Sequence, residues 1–295
     1  MMVTNAHPLT LTTPDWQDYD LLDTGDGRKL ERFGPHTLIR PEPQASWRPA
    51  LPAASWEAAD AEFHMAGHQG GAWTYHRSME KSWLIGYKEL RFRVQAAESR
   101  QVGVFPENAS HWDWISDQIA AAGRPVHVLN LFGYTGLATL AAARAGARVT
   151  HVDASKKAVA WARENQALSG LSDRPVRWIV DDALTYIRRE ERRGVRYDGI
   201  IMDPPAFGHG PDGEVWTLAT LFPMLCQACR AVLGPQPEFI VITVYTKEMS
   251  LELLRQMASS MLPNVGGSLS TGQLATRERS AGRLLVNSLY ARWAG

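Results

Sequence analysis

Cysteine is nearly absent from this chain of 295 residues: there are two, Cys226 and Cys229. So low a count excludes a disulfide framework and suits a reducing cytoplasm, where the protein is expected. The two lie three apart in a helical run, where burial against a sheet is the usual outcome. A lone Cys-x-x-Cys is half a zinc site, so no metal is expected. Long apolar runs are missing as well. None approaches about 20 residues, so no membrane-spanning helix is expected. The opening stretch, Met1 to His7, has neither a basic n-region nor an apolar h-region, which argues against a signal peptide. Finally, there is no excess charge of either sign. Lys plus Arg number 31, Asp plus Glu 31, and the formal net charge is zero. Split near residue 110, the first part is net negative by about three charges and the rest net positive by about three. A protein that grips duplex nucleic acid through phosphates is usually basic. A stand-alone nucleic-acid binder is therefore disfavoured, while an enzyme with a local basic patch is not.

What is present is enough apolar material for a sizeable core, 45% of residues, in a chain long enough for one large or two unequal domains. The organising stretch is Val126-His-Val-Leu-Asn-Leu-Phe-Gly-Tyr-Thr-Gly136. It begins as a buried parallel strand and breaks at Gly133 and Gly136. Leu137 to Ala145 follows as a run of strong helix formers that stops at Gly146. Strand, glycine turn and helix together open a nucleotide-binding α/β sheet, where the helix start offers unpaired N–H groups. Arg148 to Asp153 is a second strand ending in an acid about 20 residues past Gly133, where an acid accepts from a ribose diol. Val176 to Val180 runs into Asp181-Asp182-Ala183, and Tyr197 to Met202 runs into Asp203-Pro204-Pro205-Ala-Phe207. Three successive strands thus end in acids on the edge where open α/β sheets bind ligands. Capping of the next helix would explain Asp182, but not Asp203, which precedes two prolines. The turn lacks the third glycine of Gly-x-Gly-x-x-Gly, which disfavours NAD(P).

This constellation resembles the class I S-adenosylmethionine-dependent methyltransferases. The matching residues are Asn130-Leu-Phe-Gly133-Tyr-Thr-Gly136, Asp153, Asp181-Asp182-Ala183 and Asp203-Pro204-Pro205-Ala-Phe207. More narrowly, it is similar to the bacterial branch containing 23S ribosomal RNA methyltransferases. There the turn reads Asn-x-Phe-x-Tyr-Thr-Gly and the fourth strand ends Asp-Pro-Pro-x-Phe. The match runs from about Gly103 to the C-terminus. The resemblance implies S-adenosylmethionine as cofactor, held by Asn130, Phe132, Gly133, Tyr134, Thr135 and Gly136 around the methionine part. Asp153 would bind the ribose hydroxyls, with Ala154 and Ser155 beside the adenine. Asp181, Asp182 and Ala183 would complete the adenine site, Asp182 accepting from the amino group. It further implies that Phe105, Pro106, Glu107 and Asn108 fold over the cofactor; a plain linker with a helix cap at Asn108 or Ser110 explains them equally well.

The catalytic group would be Asp203, Pro204, Pro205 and Phe207. The prolines stiffen the strand's end, and their carbonyls are expected to lack a competing local donor. An amino or ring nitrogen could donate to Asp203 and the Pro204 carbonyl, with Phe207 stacking on a planar substrate. Gly208, Gly210 and Gly213 suggest a mobile loop over the site, with His209 as a substrate contact or a surface histidine. Pyrimidine C5 methylation needs a cysteine nucleophile. In the cytosine-C5 members of the resembling branch that cysteine follows the fifth strand, and Ile242-Thr-Val-Tyr-Thr-Lys247 has none. Nitrogen methylation is therefore expected, with oxygen second. Tyr245 and Lys247 face the substrate edge.

The expected fold class is α/β: a Rossmann-like seven-stranded methyltransferase sheet (residues 103–295) whose last strand pair is antiparallel, preceded by a small mixed-β domain (residues 1–102). Strands are expected at Val126–Leu131, Arg148–Val152, Val176–Val180, Tyr197–Met202, Phe239–Val244, Gly267–Arg277 and Arg283–Trp293. Helices are expected over Ser110–Ala122, Gly136–Ala145, Lys156–Leu168, Asp182–Arg193, Val215–Leu233 and Ser250–Met261. The first part is rich in Trp, with a hairpin turning at Gly25-Asp-Gly27 and further short strands. Its tryptophans read as core, with a stacking platform for an unpaired base as the alternative. Arg188 to Arg196 reads as a solvated helix face, and Arg91, Arg93 and Arg100 as an RNA-contact row. The function expected is a methyltransferase acting on RNA, ribosomal RNA in particular, at a base nitrogen. The alternatives are a small-molecule or protein side-chain methyltransferase, or a non-catalytic nucleotide-binding module.

Overall fold

A computed structural model describes residues 9–67, 70–96, 99–246, 248–262 and 266–295. Met1 to His7 and Lys247, both weighed above, lie outside them. The chain packs into two compact units. One holds residues 12–109 and 275–286; the other holds 9–11, 110–274 and 287–295.

The first element among the described residues is β1 (Leu9–Thr12). In the first unit, β2 (Tyr19–Gly25), β3 (Arg28–Phe33) and β4 (His36–Pro41) form an antiparallel meander. The β2–β3 turn forms because Asp26 and Gly27 both take positive φ, 50° and 74°, the hairpin geometry that Asp-Gly favours. A short helix, α1 (Ala53–Glu57), precedes β5 (Ala61–Ala66), which runs parallel to β4 and pairs with β6 (Gly70–Tyr75). β7 (Ser82–Tyr87) and β8 (Leu90–Gln95) make a separate hairpin. The mixed-β character is as expected; β5 and α1 were not foreseen. A bulge between Leu21 and Asp23 turns the Asp23 carboxylate inward. There it accepts from Leu51 N (2.8 Å), Trp56 Nε1 (3.1 Å), Ser280 Oγ (2.6 Å) and Arg283 Nη2 (3.2 Å). Residues 275–286 are held in this unit by those bonds. Trp16, Trp56, Trp73 and Trp83 are buried, and every indole N–H in the unit, Trp47 included, donates to a protein oxygen. They are core, as first read, and not stacking platforms.

The second unit is built on one large sheet. After a 3-10 turn at Pro106–Asn108 come α2 (Ala109–Ala121), β9 (His127–Leu131), α3 (Leu137–Arg144), β10 (Arg148–Asp153), α4 (Lys156–Leu168), β11 (Val176–Val180), α5 (Ala183–Arg192) and β12 (Gly199–Met202). Then follow β13 (Phe207–His209), β14 (Val215–Thr217), α6 (Leu218–Val232), β15 (Phe239–Val244), α7 (Leu251–Ser260), β16 (Ser268–Arg277) and β17 (Leu284–Ala294). The sheet order is β1-β16-β17-β15-β12-β9-β10-β11. The strands from β15 to β11 pair in parallel, and β17 returns antiparallel to β15. All seven expected strands are present, and β1 adds an eighth at the edge. Four residues are too few for a periodic signal.

Two apolar layers cover the sheet. Ile240, Ile242 and Val244 of β15 pack with α5, α6 and α7. Phe239 and Val241 pack with α2 and α3 on the other face. Burial on both faces is why this strand reads as unbroken apolar sequence. The largest shift of an expected boundary is at a helix start. The helix read from Val215 begins at Leu218, because Val215–Thr217 pairs antiparallel with Phe207–His209. Strand order reverses at β9, which lies between β10 and β12, and that reversal opens a crevice at the strands' carboxyl ends.

Candidate functional site

The turn after β9 is tightly wound. Phe132, Tyr134 and Gly136 take φ of 57°, 49° and 87°. For the two aromatic residues this left-handed geometry costs about 1–2 kcal/mol each, so it must be held by its surroundings. Gly133 N donates to Val152 O (3.1 Å) and Gly136 N to Gly133 O (2.9 Å). Tyr134 N donates to Asp153 Oδ2 (2.8 Å), and Asn165 Nδ2 to the Thr135 carbonyl (3.0 Å). Asn130 does not face outward: its Nδ2 donates to Thr139 Oγ1 in the core (2.9 Å). The two glycines also have internal reasons. A Cβ on Gly133 would lie 2.4 Å from His151 Cε1, and one on Gly136 would lie 2.8 Å from Ala162 Cβ. Gly136 opens α3, and no side chain caps that helix.

The acids stand at the ends of β10, β11 and β12. Asp153, ending β10, accepts from Tyr134 N and from Ser155 N (2.8 Å each). Burial raises its carboxyl above the usual aspartate range, against the pull of those two N–H groups. Ala154 follows it, half-buried, and Ser155 caps α4 by accepting from Ala158 N (3.2 Å). Beyond β11, Asp181 pairs with Arg189 and accepts from Asp182 N. Asp182 caps α5 by accepting from Thr185 N (2.8 Å), and Ala183 is buried in that helix. Asp203, ending β12, is half-buried, and its N–H donates to Leu131 O (3.4 Å).

Pro204 is buried, Pro205 is exposed, and Phe207 is 56% exposed. The expectation that both proline carbonyls lack a competing donor fails at Pro205, whose carbonyl accepts from Trp216 Nε1 (2.7 Å). The glycine-rich stretch is also more ordered than a plain loop. β13 and β14 form a ribbon in which Phe207 and His209 meet edge to face at 5.0 Å. Trp216 is buried and lies 4.9 Å from the Phe132 ring, tying the elbow after β12 to the turn after β9. Sequence reading missed Trp216. The one hint was a large aromatic between a glycine-rich run and a helix.

The family model for S-adenosylmethionine-dependent methyltransferases matches residues 37–242. The chain belongs to that family. The match begins inside the first unit, well before Gly103. The methyltransferase is similar over 97% of its length, and 93% of the other chain, to the SAM-dependent methyltransferase from Agrobacterium tumefaciens, at 43% identity and a TM-score of 0.94. A SAM-dependent methyltransferase from Streptococcus mutans shares the fold, with a TM-score of 0.72 at 16% identity over 94% of this chain and 75% of that one. The ribosomal RNA large subunit methyltransferase K/L of Shewanella frigidimarina is 31% identical over 193 residues, 64% of this chain. The chain spans about a quarter of that curated relative's length, 26%.

The methyl donor is therefore S-adenosylmethionine, and the residues present fit it. The carboxyl edge offers carboxylate and carbonyl acceptors to a cation that carries hydroxyl and amino donors. Among the described residues there is no group of three or more potential metal ligands, and methyl transfer from a sulfonium needs none. Cys226 and Cys229 are both buried, and burial pushes the Cys226 thiol up to about 12 and Cys229 well up. Neither is a thiolate nucleophile.

Phe105, Pro106, Glu107 and Asn108 belong to the first unit, where Pro106–Asn108 form the 3-10 turn and Glu107 is buried. Arg91 and Arg100 are exposed there, and Arg93 is half-buried, donating to Ser82 Oγ (2.9 Å). Tyr245 is half-buried just past β15. The Arg188–Arg196 stretch is only partly a solvated face. Glu190 is buried, accepting from the Tyr197 hydroxyl (2.9 Å) and from Arg193 Nη1 (3.0 Å). No helix among the described residues is long and apolar enough to cross a membrane.

Proposed function

We propose that this methyltransferase modifies a base nitrogen of RNA, with ribosomal RNA as the substrate. The reading rests above all on one juxtaposition: a half-buried Asp203, a proline-stiffened elbow and an exposed Phe207, in a chain whose two thiols are both buried. A carboxylate with a flat aromatic four residues on suits a planar heterocycle bearing an N–H. The relatives named as ribosomal RNA large subunit methyltransferases support RNA as the carrier of that base.

The cofactor supplies an electrophilic methyl group on a sulfonium. Asp153 accepts the ribose hydroxyls, with Ala154 and Ser155 beside the adenine. Asp182 would accept the adenine amino group, with Asp181 and Ala183 bordering the ring. Asn130, Phe132, Gly133, Tyr134, Thr135 and Gly136 would shape the seat of the methionine part. Asp203 and the Pro204 carbonyl accept N–H bonds from the base and turn its nitrogen lone pair toward the methyl carbon. Asp203 would also take the proton that the base nitrogen gives up on methylation. Phe207 stacks on the base and Pro205 stiffens the elbow. Holding donor and acceptor in line contributes several kcal/mol to the rate, of the roughly 7–11 that alignment can supply. Arg91, Arg93 and Arg100 contact RNA phosphates, and the two unpaired cysteines suit a reducing cytoplasm.

The decisive experiment is nucleoside mass spectrometry of ribosomal RNA from a deletion strain, with and without purified enzyme and S-adenosylmethionine. One N-methylated nucleoside should vanish on deletion and return on incubation. An unchanged profile, with methyl label entering protein or a small metabolite instead, overturns the RNA reading.

A further inference from the structure

We propose that His151 is a positioning residue for the cofactor, acting through Gly133: its imidazole is the floor on which the turn after β9 is shaped. The proposal rests on that turn holding S-adenosylmethionine.

His151 sits in β10, in register with Asn130 of β9, and is fully buried. Its Nδ1 lies 2.9 Å from Thr139 Oγ1, which also takes the Asn130 Nδ2 hydrogen bond at 2.9 Å. The threonine hydroxyl, which accepts from Asn130, thereby links the imidazole to the turn. Burial holds the ring neutral, its pKa pushed down to about 3. Nε2 finds no partner among the described residues, and the ring lies 4.7 Å from Trp178. A buried polar ring left half-satisfied is destabilising, which calls for a compensating role.

That role is steric and directional. A Cβ at Gly133 would fall 2.4 Å from His151 Cε1 and 2.5 Å from Nδ1, with the Asn130 amide next, at 3.1 Å. Gly133 is not among the residues of positive φ, so an alanine there is conformationally permitted. The imidazole is the nearest and tightest obstacle to a side chain there. With Gly133 pressed onto the ring, Phe132 and Tyr134 on either side are driven into left-handed φ, and Tyr134 N reaches Asp153. The histidine thereby sets the shape that meets the cofactor without touching it.

The test is a double-mutant cycle in the full-length enzyme. It is read by calorimetric binding of S-adenosylhomocysteine and by thermal melting. Gly133→Ala should weaken binding by about tenfold or more, as overpacking displaces the turn. His151→Ala should weaken it about threefold to tenfold, through loss of the floor. The double variant should bind more tightly than Gly133→Ala alone, because removing the ring removes the clash. If Gly133→Ala is insoluble, recovery of soluble, binding-competent protein on adding His151→Ala reads the same coupling. Asp153→Asn separates the two ideas. If it leaves binding intact, the turn is not the cofactor site. If it weakens binding while His151→Ala only lowers the melting temperature and rescues nothing, His151 is merely structural and the proposal is overturned.

Discussion

Trp216 donates its indole N–H to the carbonyl of Pro205 at 2.7 Å, from a ring that also packs on Phe132. The bond fixes the second proline of the elbow after β12, in the stretch between Asp203 and Phe207. Trp216→Phe keeps an aromatic ring against Phe132 and deletes the donor, at the cost of some buried volume. Its methylation rate on a saturating acceptor should fall about tenfold, since sub-ångström misplacement is enough to slow an aligned displacement. S-adenosylhomocysteine binding should stay within about twofold of the parent. Steady-state kinetics alongside calorimetry checks the split. Equal losses in both would assign Trp216 to the fold alone.

Asp153 carries a carboxyl raised by burial, so it begins to protonate at a higher pH than a free aspartate. Protonation removes an acceptor from the turn and from any bound ribose. Cofactor affinity should therefore fall as the pH is lowered toward that raised value. Asp153→Asn should bind weakly at every pH, by about ten- to a hundredfold, the range for a charged hydrogen bond. Calorimetry from neutral to mildly acidic pH measures both.

In the first unit, Glu31 and Arg40 form a buried pair, Arg40 Nε to Oε2 at 2.8 Å and Nη2 to Oε1 at 2.9 Å, with the Tyr19 hydroxyl donating to Oε1 at 3.0 Å. Burial works to raise the Glu31 carboxyl, but Arg40 and Lys29 outweigh it and leave it below the ordinary range. A depressed carboxyl contributes stability above its unfolded value and loses it as pH falls through the folded one. Chemical denaturation should show stability dropping on acidification, and Glu31→Gln should flatten that drop. Arg40→Met should cost up to about 3 kcal/mol, by leaving the buried carboxylate with only Lys29 and the Tyr19 hydroxyl as partners.

Cys226→Ala/Cys229→Ala should leave methylation within about threefold of the parent, at a small loss of melting temperature from the emptied volume. Thiol reagents should react slowly with the native protein, because both thiols are buried with raised pKa values. Abolished turnover in the double variant would restore a covalent mechanism.

Legibility in the sequence followed length and repetition. The helices over Lys156–Leu168 and Ser250–Met261 were read to within a residue, because a serine caps each of them and the apolar spacing runs for three turns or more. Asp182 was weighed as a cap and is one. The β13–β14 ribbon was not legible. Three-residue strands separated by glycines carry no period, and Trp216 acquires its importance only when Pro205 and Phe132 arrive from elsewhere in the chain. Glu190 was hidden for a similar reason: among alternating charges nothing marks which one turns inward toward Tyr197. The acids along the carboxyl edge were visible as types. Their partners were not, and Arg189 on Asp181 is the clearest case.

Residues 275–286 bring Ser280 and Arg283 to the Asp23 carboxylate, in the unit otherwise made of residues 12–109. Neither half of this enzyme can therefore be liberated by one break in its reading frame. A truncated amino-terminal fragment would leave Asp23 short of two donors, and its complement would carry a dangling strand tip. Anyone grafting this module onto another enzyme has to transplant two separate stretches of gene.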